Sequence, residues 1–368
     1  MTSSDATHHP PRGKNGLRRW WVAVLGISAS AAILGFLISS HLSALSRAGS
    51  HIRWEYVLLA AASALGSYAM MALALDRMLA FLGHSLSFPT TFGVVLVSST
   101  ANYLISTAGA SGFALKAHLL KKRRVPYAAT VTASVVCSGI LFFVLALVIT
   151  QGFVYLFLNI HGARLQIMEG AFGLAVLAAT AALLVIIFFA QGVRGRITRA
   201  VFHALNRSVY LVSRSEIPHE EFRAFEAQLE SGLARLRSGK KVLAEVVFFT
   251  CMDWSLVLLT LSLGFKAVGV DLPAGHISAG FTVGQLMSLI PVLPAGLGAM
   301  EGSMAAVFTQ LGVGWGKSLL AALIYRAAYY LIPGMISVIV FWGLKMSEPD
   351  IAAASRAEEE AGEKALPR

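Results

Sequence analysis

Charged residues are scarce. They make up 13% of the 368 residues, against about 25% in ordinary soluble domains, while hydrophobic residues make up 56%. That balance excludes a water-soluble globule with a charged shell. Cysteine is scarcer still, and Cys137 and Cys251 both fall inside apolar runs. Neither has a CxxC partner or a His set at metal-ligand spacing, so a disulfide framework or cysteine metal site finds no support. Catalytic signatures are also missing. There is no nucleophile elbow, no HExxH and no cluster of His with carboxylates. Gly296-Leu297-Gly298 lacks the preceding strand and third glycine of a dinucleotide fingerprint. His118 and His276 stand alone and read as interfacial residues. The expectation is a chain that is not an enzyme and uses no cofactor or metal.

Long apolar runs are what the chain has in quantity. Trp20–Ser40, Trp54–Leu75, Tyr127–Leu156, Ala171–Ala190, Val242–Gly264 and Ser318–Leu344 all reach the roughly 20 residues that cross a bilayer. The first run is too long for the apolar core of a signal peptide and is read as an uncleaved span. Cytoplasmic loops collect Lys and Arg. With the N-terminus inside, only Arg47, Arg53, Arg164, Lys266 and Lys317 fall in outside segments, and Arg326 falls within a span. The rest of the 30 Lys and Arg lie on the cytoplasmic side, as do both termini. Topology and attraction to anionic lipid headgroups account for the net charge of +11, and nucleic acid is excluded as a partner.

This orientation forces two segments to enter and return on one side. Residues 88–120 begin after Asp76-Arg77 and end at Lys121-Lys122-Arg123-Arg124, all cytoplasmic. Residues 276–311 must begin and end outside. Each segment holds a glycine-rich break: Ser106-Thr107-Ala108-Gly109-Ala110-Ser111-Gly112 in the first, Pro294-Ala295-Gly296-Leu297-Gly298 in the second. Broken backbone at bilayer depth must be buried in protein or line a wet cavity. Ala108-Gly109 aligns with Ala295-Gly296 half a chain later, and similar segments of opposite topology mark an inverted repeat. The expected fold is all-α, a polytopic bundle with two opposed re-entrant helical hairpins in an inverted repeat. It occupies 18–345, between disordered cytoplasmic segments 1–17 and 346–368. An amphipathic cytoplasmic insert, 191–241, separates the halves; Phe222, Phe225, Leu229, Leu233 and Leu236 recur there at helical spacing.

Ionisable groups at bilayer depth cost about 2.5–3.5 kcal/mol on insertion scales and more in simulation. Such groups are paired, wet or functional. Glu301 follows the second break, Arg326 lies within the last span, and Asp253 sits mid-span. Arg326 would be buried most cheaply beside Glu301 or Asp253. Whether such a pair is structural or lines a substrate route stays open. Lys116 follows the first break and is placed to meet a headgroup phosphate. Gly109, Gly296 and Gly298 allow close backbone approach and free amides at a helix start for an anion. Asn102, Tyr103, Gln285 and Tyr330 supply further polar groups.

Pro294 to Gly298 with Glu301, then Leu311-Gly312-Val313, Tyr325-Arg326 and Pro333-Gly334, resemble the second motif block of the lysylphosphatidylglycerol synthase transmembrane (flippase-like) family. Asn102 to Arg124 resembles its earlier hairpin, with Lys116 at the basic position. The resemblance runs from about Trp20 to Lys345, and that region is similar to the flippase domain of the multiple peptide resistance factor, without the synthase domain. It implies a bacterial inner-membrane protein that moves a polar-headed lipid between leaflets. Relatives are linked with aminoacyl-phosphatidylglycerol, polyprenyl-phosphate sugars or hopanoids. It also implies a possible separate lipid-synthesising enzyme as partner, because the chain ends soon after its last span. Two departures bear on the lipid: Ser106-Thr107 stands where relatives often have Pro, and Gly112-Phe113 where many carry an acidic residue. The alternatives are a membrane-embedded lipid-modifying enzyme and a non-transporting subunit of a lipid-synthesis complex. Oligomeric state is not legible.

Overall fold

The computed structural model describes residues 52–104, 110–159, 239–288 and 296–346. The expected spans Trp20–Ser40 and Ala171–Ala190, nearly all of the insert, both termini and Gly109 lie outside the described residues. Among the described residues there are nine α-helices, one π segment and no strand. They run α1 (Trp54–Phe81), α2 (Phe88–Leu104), α3 (Ala110–Lys121), α4 (Tyr127–Asn159), α5 (Lys240–Ala267), α6 (Ala274–Ser288), α7 (Ala299–Gln310), α8 (Trp315–Arg326), the π segment Ala327–Leu331, and α9 (Ile332–Met346).

Four helical stretches are long and apolar enough to cross a bilayer: Trp54–Phe81, Tyr127–Phe157, Lys240–Ala267 and Trp315–Leu344. They contain four of the six expected spans and overrun the apolar runs at their polar ends, because helix propensity does not stop where hydrocarbon does. α1 carries Asp76 and Arg77 in its last turns, and α5 opens on Lys240-Lys241. Large apolar side chains stay exposed along these helices, among them Leu58, Phe142, Phe143, Leu147, Phe248, Val338 and Ile339. Each would forgo about 1.5–3 kcal/mol by facing water instead of apolar surroundings. The long helices thus turn apolar flanks outward, as acyl chains require. The chain is a polytopic helical membrane protein.

One stretch of the inward face is built from small residues, which let helix backbones approach without help from a water-driven hydrophobic effect. On α1 these are Ala60, Ser63, Ala64 and Ser67, all buried. α1 and α5 make the most extensive helix pair and run antiparallel. At one end the Arg53 N–H donates to the Ala267 carbonyl at 2.9 Å. At the other, Arg77 stands 3.8 Å from Glu245. Between them the Ser63 hydroxyl donates to the Leu256 carbonyl at 2.9 Å.

The shorter helices pair off, α2 with α3 and α6 with α7. α2 leaves the end of the α1–α5 pair that holds Arg77, whereas α6 leaves the end that holds Arg53. Each pair is antiparallel. Arg123 donates to the Thr90 hydroxyl at the open end of the first, and Ser111 donates to the Ala101 carbonyl near its tip. In the second, Gly280 lies against Phe308 and Gly284 against Met304, so close that a Cβ on either glycine would overlap the facing side chain.

Lengths therefore read long, short, short, long, and then long, short, short, long again, with α8, the π segment and α9 making the last member. The terminators repeat as well. α1 stops at Gly83 and α5 at Gly269, each in the left-handed region. The next N–H reaches five residues back in both, His84 to Leu79 and Val270 to Phe265. α3 stops the same way at Arg124 and α7 at Gly312. This is a glycine-type helix stop that satisfies orphan carbonyls. Arg124 makes it without glycine.

Candidate functional site

The second break closes on Gly296 and Gly298. Gly296 has φ +64°, and a Cβ there would lie 2.5 Å from the Cα of Ser288, so only glycine lets the returning chain touch the end of α6. Gly298 has φ +86° and caps α7. Its N–H donates to Glu301 Oε2 at 2.7 Å, while its carbonyl accepts from the Gly302 N–H. Glu301 thus folds back on the start of its own helix, satisfying one of the orphan amides and meeting the positive end of the helix. Its other oxygen, Oε1, accepts from Arg326 Nε.

The Glu301–Arg326 pair is buried, with side-chain exposures of 2% and 10%. Of the two carboxylates open to Arg326 from the sequence, Glu301 is the one it meets. The Arg326 guanidinium also lies 4.4 Å from the centre of the Tyr330 ring, so one face is occupied by an aromatic surface. Tyr330 meets Tyr103 edge-on at 4.6 Å, which ties the ion pair to the end of α2. Tyr68, Tyr325 and Tyr329 complete a five-tyrosine cluster. Tyr329 stacks on Tyr325 at 5.7 Å and on Tyr68 at 5.5 Å.

The π segment has a cause in sequence. Pro333 sits inside the last span, lacks an N–H and clashes with the carbonyl four residues back, that of Tyr329. The helix widens just before it, and the Ile332 N–H reaches Ala327, five residues back. The carbonyl that Pro333 leaves unserved finds a donor elsewhere, because the Tyr68 hydroxyl donates to Tyr329 O at 3.1 Å. Tyr329 and Tyr330 lie in this widened turn, three and four residues after Arg326, and pack on Tyr325 and Tyr103. Such π bulges recur at functional sites.

The first hairpin is closed differently. Asn102 Oδ1 accepts from the Gly112 N–H at 2.8 Å, so α2 caps α3 with a neutral side chain. A Cβ on Gly112 would lie 2.3 Å from the Ser98 carbonyl. Lys116 lies further along α3, part-buried, without a hydrogen bond or ion pair to another described residue. Asp253 is 2% exposed and accepts from the Ser67 hydroxyl. The Tyr329 hydroxyl is 3.5 Å from Ser67 Oγ.

Glu301, Arg326, Tyr330, Gly296 and Gly298 therefore form one cluster, with Tyr103 against Tyr330, while Asn102 serves the first hairpin at Gly112. Asp253 sits in a neighbouring cluster joined through Tyr329, and Lys116 stands apart. Sequence reasoning missed Ser67, Tyr68 and Tyr329. Pro333 four residues after Tyr329 was the signal for the last; a serine in an apolar helix gave none.

Comparison with known proteins adds the lineage. A UPF0104 membrane protein of Methanothermobacter thermautotrophicus is 30% identical over 131 residues, 35% of this chain and 37% of that protein. Another match to a UPF0104 membrane protein of that organism runs over 267 residues at 26% identity, covering 70% of this chain and 76% of the relative. A phosphatidylglycerol lysyltransferase of Staphylococcus aureus is 34% identical over 93 residues, 25% of this chain and 11% of that much longer protein. The profile of the lysylphosphatidylglycerol synthase TM region matches residues 21–337, which is most of the chain, and the protein belongs to that family.

Proposed function

We propose that the protein moves a polar-headed lipid (anionic, aminoacylated or polyprenyl-phosphate-type) between the leaflets of a bacterial inner membrane. The observation that carries the reading is the pair of short helical hairpins leaving opposite ends of the α1–α5 pair. α2, α3, α6 and α7 have 17, 12, 15 and 12 residues. At 1.5 Å per residue they extend about 18–25 Å, short of the ~30 Å hydrocarbon core. Two re-entrant hairpins dipping from opposite faces, in an inverted repeat, account for these lengths and for the repeated helix stops. Transporters of that design handle polar cargo near the midplane and work by rocking one half against the other.

The headgroup would be handled beside Glu301 and Arg326. Both oxygens of Glu301 are engaged, so cargo binding there means exchanging an existing contact rather than filling an open one. A phosphate competing with Glu301 for the guanidinium has the chemistry for that exchange. Orientation follows the charge bias of the loops, with termini in the cytoplasm, and the chain acts without a catalytic step.

A leaflet-resolved assay in proteoliposomes, with a panel of labelled phospholipids and polyprenyl phosphates, tests the reading. Transbilayer movement well above protein-free vesicles, and its loss in Glu301→Gln with unchanged elution of the purified protein, is expected. Equal rates with and without protein across the panel would overturn it. Chemical turnover of a labelled lipid would favour the enzyme alternative.

A further inference from the structure

α1 and α5 are both 28 residues long, and Ser67 and Asp253 stand at the midpoint of each. Two antiparallel helices related by a two-fold axis touch through corresponding residues only where that axis passes. Ser67 and Asp253 correspond in position and are hydrogen-bonded to each other. The crossing point therefore lies on the local pseudo-dyad. It is about 20 Å from either helix end, the depth of the bilayer centre.

Among the described residues, a carboxyl group at that place meets no counter-charge: no Lys, Arg or His forms an ion pair with Asp253. From α1 it meets Ser67, with Tyr68 beside it; Asp76 and Arg77 lie two turns or more toward the helix end. The π segment turns Tyr329 toward Ser67, with Tyr330 next to it. α8 contributes Tyr325 and Arg326, and the latter is bonded to Glu301 of α7. α2 contributes Tyr103. On α4, Cys137 is turned to the Ala74 carbonyl, and on α6 the sole titratable group, His276, is bonded to Tyr155. The described surroundings of Asp253 are hydroxyls and rings. One hydroxyl does not replace the water shell of an ion, and an unpaired charge out of water is neutralised instead.

We propose that Asp253 is a proton-binding site at the crossing of the two halves, and that its proton couples lipid movement to a pH gradient. The inference rests on the transport reading for its second part only. In the described arrangement Asp253 holds its proton, shielded by Ser67 and Tyr329. When the halves rock, the α1–α5 crossing is the line about which they move. Water entering from one side removes the proton, and water from the other restores it, one proton per cycle.

The test uses the full chain in proteoliposomes containing NBD-labelled phosphatidylglycerol, as wild type, Asp253→Asn and Ser67→Ala. Infrared spectra in H2O and D2O report protonated carboxyls. Dithionite quenching reports the leaflet of the probe with and without an imposed pH gradient. A protonated-carboxyl band that Asp253→Asn removes and Glu301→Gln leaves is expected. A one-unit gradient should bias the probe between leaflets by up to about tenfold in the wild type, the limit for one proton. Asp253→Asn should show no bias, and Ser67→Ala should keep the band at a shifted frequency. A wild-type spectrum without that band overturns the site, as does a gradient response surviving in Asp253→Asn. Dependence on sodium at fixed pH, without the band, would assign the carboxylate to a metal cation instead. If the probe never moves but the band is present, the proton site stands and its coupling to movement of phosphatidylglycerol falls.

Discussion

The two hairpins solve one problem with different chemistry. Each must satisfy the amides at the start of a returning helix, where Gly112 and Gly298 are buried. α3 is capped by Asn102, a neutral side chain from the preceding helix. α7 is capped by Glu301, a charge from within itself, which then requires Arg326. The helix that follows shows the same divergence. α4 runs unbroken from Tyr127 to Asn159, whereas its counterpart is widened between α8 and α9. Among the described residues the first hairpin is closed by neutral groups, whereas the second half holds an ion pair and a π segment side by side. A neutral cap suffices at the first hairpin, so the ionic version at the second is more than closing a hairpin requires.

The sharpest way to break this comparison is to strand the carboxylate. Arg326→Met leaves Glu301 buried beside the start of α7 without its partner, at an expected loss of about 3–5 kcal/mol. Thermal unfolding of the detergent-solubilised protein, read by intrinsic fluorescence, measures it. Adding Glu301→Gln should recover most of the loss, because Gln still reaches the Gly298 N–H and carries no charge. A double variant no better than Arg326→Met alone would show that Arg326 works chiefly through Tyr330. Next in size is Gly296→Ala. A Cβ 2.5 Å from backbone cannot be relieved by a rotamer change, and φ +64° disfavours any side chain. A loss of about 1–3 kcal/mol is expected in the same measurement.

Much of the architecture was legible because a bilayer imposes strong rules. Apolar length gave the spans that the described residues contain, with their ends displaced by a few residues. Charge bias and the two glycine breaks marked 88–120 and 276–311 as interrupted, and each holds two short helices. That Arg326 needed a carboxylate was legible from cost alone. Which carboxylate was not, since Glu301 and Asp253 carry the same type of charge and only packing separates them. The α1–α5 crossing was equally hidden. Ser67 is one of many serines, and nothing local announces that it faces Asp253. Tyr68 reaching Tyr329 is a contact across most of the chain, beyond any periodicity.

A smaller effect sharpens the hairpin comparison from its neutral side. Asn102→Ala removes a cap between two neutral groups, so about 1 kcal/mol is expected, the usual value of such a cap. The charged cap should cost several times more to disrupt through its arginine. If Asn102→Ala matches Arg326→Met, the two tips are energetically alike, and the asymmetry loses its meaning.

The last comparison sets the unbroken α4 against the widened final helix. Tyr68→Phe deletes the donor to the Tyr329 carbonyl at constant ring packing, with an expected loss of about 0.5–1.5 kcal/mol. The size alone proves little, because any buried hydroxyl gives a similar figure. The double-mutant cycle with Pro333→Ala is decisive. Alanine at 333 restores the backbone N–H that an ordinary helix would offer that carbonyl. Tyr68→Phe should then cost close to nothing, and the coupling between the two positions should approach the whole single-variant loss. If the two changes add independently instead, Tyr68 is not standing in for a missing helical donor, and the π segment owes its shape to the tyrosine cluster rather than to Pro333.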